Sequence, residues 1–310
     1  MSARTRCFVC GARGWRRADR ELRCDHCGVR VRVDHDRGEC VDALGALLRP
    51  GPCALARDLP FAADIYTLRI AASRVGLAAW PCDRMTAEAL AYPHSVRPAR
   101  AWLRPRAPAP PRVALGMILR ADAVERTLER IGPWRARFAG IVLVVDDAAR
   151  EPVQRDGATV LHRPLGKDFA AQRNAVQRAA SARWVLQLDD DETPSDALLH
   201  AMDAISAHAD AQNVVSVGFP RRNLVDGAWS DLWPDVQYRL NRREVRFAGA
   251  VHERPAVPGG WRHTTIALDG VIDHYLERAR VEERSRRYEA MRGGAGRPGD
   301  EMALLRPFAP

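Results

Sequence analysis

The 310-residue sequence holds a single lysine, Lys167, although lysine and arginine together number 48 and the formal net charge is +9. Such one-sided arginine usage reads as genome composition rather than as a nucleic-acid surface, and the basic residues are dispersed instead of gathered in one block. A nucleic-acid partner is therefore not expected. The surplus charge fits phosphate-bearing substrates or peripheral association with an anionic membrane face. No apolar run reaches the roughly 18 residues of a membrane-spanning helix. No apolar stretch follows the charged N-terminus, as a secretory signal would require, so the expected setting is cytoplasmic, with Cys40, Cys53 and Cys82 of the seven cysteines reduced. No internal repeat is evident. With 46% hydrophobic residues the chain can bury a large domain and a small one.

Four of the cysteines form a pattern. Cys7-Phe8-Val9-Cys10-Gly11 and Cys24-Asp25-His26-Cys27-Gly28 are two CxxCG knuckles. Each knuckle lets one tight turn offer two sulfurs to one ion, and Gly11 and Gly28 permit the turn. Cys7, Cys10, Cys24 and Cys27 are thus candidate ligands of a structural Zn²⁺ in a ribbon over about 1–40, a piece too small to fold on an apolar core alone. A redox dithiol or four unrelated thiols are the competing readings. Alternation in Val29-Arg30-Val31-Arg32-Val33 predicts a strand after the second knuckle. Cys40, Cys53 and Cys82 are scattered.

Residues 41–97 have helical composition, with a packing helix expected at Ala63–Ala79, and carry no chemical motif. Five prolines and three arginines within 98–111 mark a stiff linker. Beyond it strands and helices alternate: Val113–Leu119, a helix opened by Asp122 and Glu125 as a capping box, Ile141–Val145, Ala158–Leu161, a helix over Lys167–Ala180, and Trp184–Leu188. This order predicts an α/β domain over 112–295, a mostly parallel sheet with helices on both faces, followed by a flexible tail at 296–310.

Two strands end in acids, Asp146-Asp147 and Asp189-Asp190-Asp191-Glu192. Thr193 and Pro194 then read as the N-cap and first residue of a helix. The acids fall at the carboxyl edge of the sheet, where α/β domains bind ligands. Asp189 and Asp191 can share a side, and two close carboxylates favour a cation between them, with Mg²⁺ or Mn²⁺ suited to hard oxygen ligands. A solvated loop capping a helix is the plainer reading of the same acids.

This order of elements, with Gln172-Arg173-Asn174 on the intervening helix, Trp184-Val185-Leu186-Gln187-Leu188-Asp189-Asp190-Asp191-Glu192, the segment Gln237–Glu253, and Asp273-His274-Tyr275 before a charged helix, resembles family 2 glycosyltransferases of the GT-A (Rossmann-like) fold. The branch it resembles decorates lipopolysaccharide cores, and the likeness covers about 113–290. It implies inverting transfer of a sugar from a nucleotide-diphosphate sugar to a glycan or lipid-linked acceptor, at the inner membrane face. Asp146 and Asp147 match the carboxylates that contact the base, although Ala148-Ala149 replace the usual Gly-Ser. Lys167, Arg173 and Asn174 match the helix bordering the nucleotide. Asp189 and Asp191 match the DxD motif, with Asp189 toward the ribose or the metal's water shell, and His274 matches a histidine that completes the metal sphere. Glu253 is the candidate general base, with Asp231 and Asp235 next in line. Arg222, Trp229 and Trp233 are weak acceptor-side candidates; burial under the acceptor loop is the equal alternative for the tryptophans.

Two other functions compete. A sugar-phosphate nucleotidyltransferase would carry a Gly-rich loop after the first strand, where Leu119-Arg120-Ala121-Asp122 stands instead. A zinc-ribbon binding or regulatory protein with a catalytically degenerate transferase-like domain is compatible with Ala148-Ala149.

Overall fold

The computed structural model describes residues 5–49, 58–75, 112–250, 252–258, 260, 263–268, 270–291, 293 and 298–307. The linker read at 98–111, the stretch 76–97, Cys53, Cys82 and Val251 lie outside the described residues.

The N-terminal part is a four-stranded antiparallel sheet. Its strands are β1 (Trp15–Ala18), β2 (Glu21–Cys24), β3 (Arg30–Arg32) and β4 (Phe61–Ala62), paired in that order. Helix α1 (Arg37–Leu47) begins at Asp36, whose carboxylate accepts from the Gly38 amide. Helix α2 (Ile65–Arg74) is shorter than the helix expected at Ala63–Ala79. Its last residue donates from Arg74 Nη1 to the Phe8 and Val9 carbonyls of the first knuckle, at 3.1 and 2.9 Å. The middle region thus supplies both an edge strand and a clasp to the cysteine module.

The large domain contains, in chain order, β5 (Val113–Arg120), α3 (Val124–Ile131), β6 (Ile141–Asp146), β7 (Arg150–Arg155), β8 (Ala158–His162), α4 (Phe169–Ala179), β9 (Trp184–Asp189), β10 (Glu192–Pro194), α5 (Asp196–Ala211), β11 (Ser216–Val225), β12 (Ala228–Trp229), β13 (Asp235–Arg242), β14 (Arg246–Ala248), β15 (Arg254–Ala256), β16 (Thr264–Ile266), β17 (Ile272–Leu276), α6 (Arg278–Met291) and α7 (Pro298–Leu305). The main sheet runs β10-β17-β11-β13-β9-β5-β6-β8-β7, with β12 and β16 also on β11. Strands β9, β5, β6 and β8 are parallel, as their sequence order predicts. Around β13 the sheet turns antiparallel, since β13 opposes both β9 and β11.

Alternation along the strands divides the core between two faces. Leu115, Met117, Leu143 and Leu186 pack against α3 and α5, while Ala114, Val142, Val144 and Val185 pack against Val176 and Ala180 at the end of α4. Burying each large aliphatic side chain contributes about 1.5–3 kcal/mol. Gly116 is where α4 comes closest to the sheet. A Cβ there would stand 2.1 Å from Val176 Cγ1. Gly116→Ala is therefore expected to cost about 1–3 kcal/mol by overpacking, read as a lower urea midpoint at unchanged m-value. An unchanged midpoint would mean that Val176 turns aside freely.

Three local expectations are corrected. Asp122 and Glu125 form no capping box: a 3₁₀ turn, Ala121–Ala123, leads into α3 without a side-chain cap, and Glu125 reaches outward to Arg155 at 2.6 Å. Thr193 and Pro194 do not open the next helix. Pairing of Glu192–Pro194 with Ile272–His274 draws them into the sheet, and Ser195 caps α5 by accepting from the Leu198 amide. Residues 298–305, read as part of a tail, form α7, which buries Leu304 against Val225, Leu276 and Val281. Among the described residues no helix is long and apolar enough to cross a membrane.

Candidate active site

The carboxyl edge of the parallel strands collects the acids. Asp146, at the end of β6, accepts from the Leu165 amide at 2.7 Å and so anchors the loop entering α4. Asp147 accepts from the Ala148 amide and from Arg150 Nη2, both at 2.7 Å. Lys167 is exposed on that loop at φ +63°, one residue before Asp168, the N-cap of α4. These residues line the outer part of the edge and remain accessible.

Deeper in, a row of alternating charges runs beneath the edge. Arg173 on α4 is 2% exposed; its Nε donates to Glu253 Oε1 at 2.5 Å and its Nη2 to Asp189 Oδ1 at 2.7 Å. Arg239 on β13 donates to Asp189 Oδ2 at 2.6 Å and to Glu192 Oε1 at 2.7 Å. Arg221 on β11 joins Glu192, at 2.9 Å, to Asp235. At Asp189, Asp235, Arg221 and Arg239 burial opposes the charge, but the partners prevail. Asp189 is held well below the usual carboxylate range by Arg173, Arg239 and Arg221, and Asp235 is brought down to about 2 by Arg221. Burial likewise opposes the guanidinium of Arg239, yet Asp189 and Glu192 raise its pKa above the ordinary value.

The row continues through neutral groups to Asp191. Asn223 Nδ2 donates to Asp235 Oδ2 at 3.2 Å, so its Oδ1 is the acceptor that faces His274 Nδ1 at 2.7 Å. His274 must therefore carry a proton on Nδ1. Its neutral form then presents the Nε2 lone pair toward Asp191, 3.4 Å away. A polar partner on the far nitrogen that fixes the tautomer is the usual support of a metal-binding imidazole. Burial acts to raise the Asp191 pKa, but it is held low by His274 in its protonated form, which donates from Nε2 where a cation would otherwise sit. One carboxylate and one oriented imidazole fit a Mn²⁺ or Mg²⁺ that takes its remaining ligands from water and a diphosphate. Asp189 fits less well as a direct ligand, because each of its oxygens already accepts from an arginine.

The other candidates fall in two places. Asn174 binds β14 by both ends of its amide, Nδ2 to the Phe247 carbonyl at 2.9 Å and Oδ1 from the Phe247 amide at 2.8 Å. It holds the strand that leads toward Glu253. Arg222 grips Asp273 through two hydrogen bonds, 2.6 and 2.9 Å, with its guanidinium 5.8 Å from the Trp229 ring. Trp229 and Trp233 stack edge to face at 5.1 Å, and Trp233 is 8% exposed, its indole N–H donating to the Asp25 carbonyl of the second knuckle.

Sequence reading missed Glu192, Arg221, Asn223 and Arg239. A signal existed: Asp235, Gln237, Arg239 and Asn241 recur at every second position of β13, which aligns them on one face. It also missed Tyr288 on α6, whose ring meets those of His252 at 5.2 Å and Phe169 at 6.2 Å beside Glu253 and Asp189.

At the N-terminus the four ligand atoms of Cys7, Cys10, Cys24 and Cys27 lie within 4.8 Å of one another, all buried. A tetrahedral ion with bonds of about 2.3 Å sets its sulfurs roughly 3.8 Å apart. The pairs Cys7–Cys27, at 3.7 Å, and Cys10–Cys24, at 3.6 Å, meet that spacing. Hydrogen bonds among the four thiols lower the Cys7 pKa and raise that of Cys10, and burial raises that of Cys27; a bound cation would favour the thiolate at all four.

Fold and edge together define an α/β domain whose sheet ends, on its carboxyl side, in a row of paired acids and arginines. Residues 139–263 match the family described as Glycosyl transferase family 2. No curated protein matches the chain. Among solved structures the chain is similar to TarS of S. aureus. TarS 1–349 aligns at 11% identity over 57% of this chain and 64% of that one, with a TM-score of 0.33. TarS 1–349 in complex with UDP aligns at 11% over 62% and 69%, TM-score 0.33. The longer TarS structure aligns at 11% over 57% and 39%, TM-score 0.34. The chain thus spans less than two thirds of the first of these.

Proposed function

We propose that residues 112–295 form an inverting, metal-assisted glycosyltransferase that moves a sugar from a nucleotide-diphosphate donor to a glycan or lipid-linked acceptor, with a structural zinc in the N-terminal ribbon. The family match over 139–263 supports the reaction class. The observation that carries the reading is Arg173, a buried guanidinium that joins Asp189 on the donor side to Glu253 on the acceptor side. With Oε1 held by Arg173, Glu253 keeps Oε2 to take the proton as the acceptor hydroxyl attacks the anomeric carbon. The bond from that carbon to the diphosphate oxygen breaks, and the diphosphate leaves with the electron pair. Asp191 and His274 would hold the divalent ion, which neutralises charge growing on the leaving group. Asp146, Asp147 and Lys167 border the nucleotide from the outer edge.

Asp191→Ala should abolish Mn²⁺-dependent binding of UDP and GDP in calorimetry, whereas His274→Ala should weaken it less, since one ligand of several is lost. Mn²⁺-dependent affinity that survives Asp191→Ala would reduce the acids to a loop. A catalytically silent domain is the second reading. It is favoured by Ala148-Ala149 and by the engagement of both Asp189 oxygens with arginines. Donor hydrolysis with Mn²⁺ across a panel of nucleotide sugars separates the two.

A further inference from the structure

The cysteine module is built into the wall of the large domain. Arg23, the residue before Cys24, is 7% exposed and reaches across to the segment between β12 and β13. Its Nη1 donates to Asp231 Oδ1 at 2.5 Å, and its Nη2 donates to the Asp231 carbonyl at 2.9 Å and to the Trp233 carbonyl. The return contact is the Trp233 indole on the Asp25 carbonyl at 3.1 Å. Gly28, after the last ligand, lies so close that a Cβ would meet Pro234 Cδ at 2.4 Å, and its φ of +72° already excludes most side chains. Below these contacts, Leu22, Phe61 and Ile70 share one apolar core with Val236, Tyr238 and Ile266 of the large sheet.

The segment so gripped opens into β13. Asp235 is that strand's first residue, and Arg239, four residues on, is one of the two cations that hold Asp189. Both knuckles frame Arg23: Cys24 follows it directly, and Arg74 ties Phe8 and Val9 into the same unit. Small ribbons closed by four thiolates generally take a fixed shape only with their ion bound.

We propose that the ribbon is a zinc-dependent strut for Ser230–Pro234, so that metal at Cys7, Cys10, Cys24 and Cys27 sets the position of the charged row on β13. The transferase reading is needed only for the final readout below. A separate arm for nucleic acid would leave these ribbon surfaces open to a partner; here they are spent on the protein's own loop.

The test uses the full chain, freshly reduced. About one zinc per chain is expected by metal analysis. Removing it with a chelator should speed amide exchange across residues 230–240 by about tenfold or more, the size of losing a charge-assisted hydrogen bond, while 141–146 is unchanged. Because cysteine variants can unfold the module, Arg23→Gln is the second arm: it should keep its zinc and still show the faster exchange. Absence of zinc, or unchanged protection of 230–240 after chelation or in a zinc-loaded Arg23→Gln, overturns the proposal. Titration with UDP and Mn²⁺ distinguishes the two readings. Loop release without nucleotide binding in the native protein removes the transferase reading and leaves the strut; Mn²⁺-dependent nucleotide binding that is unchanged in zinc-stripped protein after the chelator is dialysed away, with a loop equally indifferent, does the reverse.

Discussion

Glu253→Gln is expected to lower sugar transfer by roughly 10²–10⁴-fold, the range over which positioned general bases act, with no matching loss of donor affinity. The substitution keeps the size of the side chain and an oxygen for Arg173 Nε, so the buried contact survives and only basicity is removed. The fall should therefore appear in kcat, with Mn²⁺ and nucleotide binding unchanged by calorimetry. The native product should carry the inverted anomeric configuration. A retained anomer contradicts the mechanism. Near-normal transfer by the variant would move the base elsewhere. Asp231 and Asp235, next in line by sequence, are ion-paired as Glu253 is, Asp231 with Arg23 and Arg306 and Asp235 with Arg221. Loss of donor affinity in place of turnover would assign Glu253 to holding Arg173 alone.

Arg239→Met should be strongly destabilising, by about 3–5 kcal/mol, because it strips one cation from the buried Glu192 and the half-buried Asp189 at once. Glu192 is wholly buried, so water cannot replace the lost partner. Chemical denaturation gives the value. A loss under about 1 kcal/mol would show that Arg221 and Arg173 suffice for the row. The same row carries a pH signature. Asp235, lowered from 3.8 to about 2, contributes stability that is fully present above the unfolded value and is lost as pH falls through the folded one. Acid unfolding should therefore steepen between those two values, and Asp235→Asn should remove that part of the slope.

The parallel half of the fold was legible because its strands are apolar runs, and β5 to β6 and β8 to β9 return through helices; β6 reaches β8 through the exposed strand β7, which no apolar run marks. The edge acids were legible for the same reason, as abrupt charge at the end of an apolar run. The antiparallel half was less so. Strand β13 alternates polar and apolar residues like a half-exposed strand, yet its polar face is buried by ion pairs that come from β9, β10 and β11. Periodicity states that Arg239 and Asp235 share a face; it does not state that the face is covered. Trp229 and Trp233 were ambiguous for a related reason. What they pack against, Arg16 and Asp25, lies about two hundred residues away in the chain, and no local pattern encodes such a meeting. Glu253 emerges through the family resemblance alone, which assigns its partner Arg173 to the nucleotide side; the fold puts that one guanidinium between Glu253 and Asp189.

The grip of Arg23 on Asp231 spans 208 positions. During synthesis at about 5–20 residues per second, the knuckles leave the ribosome roughly 10–40 s before the loop they grip exists. Metal capture needs only residues 7–27 and can be complete in that interval, whereas docking must wait for β13. The apolar side of the ribbon, with Leu22 and Phe61, faces water until then. A loaded ribbon waits as a rigid, preformed surface, and one without metal waits as an open chain with four bare thiols. With zinc at the four cysteines as proposed, supply of the ion at the moment of translation would decide whether the second half of the protein folds onto a template or onto a tangle.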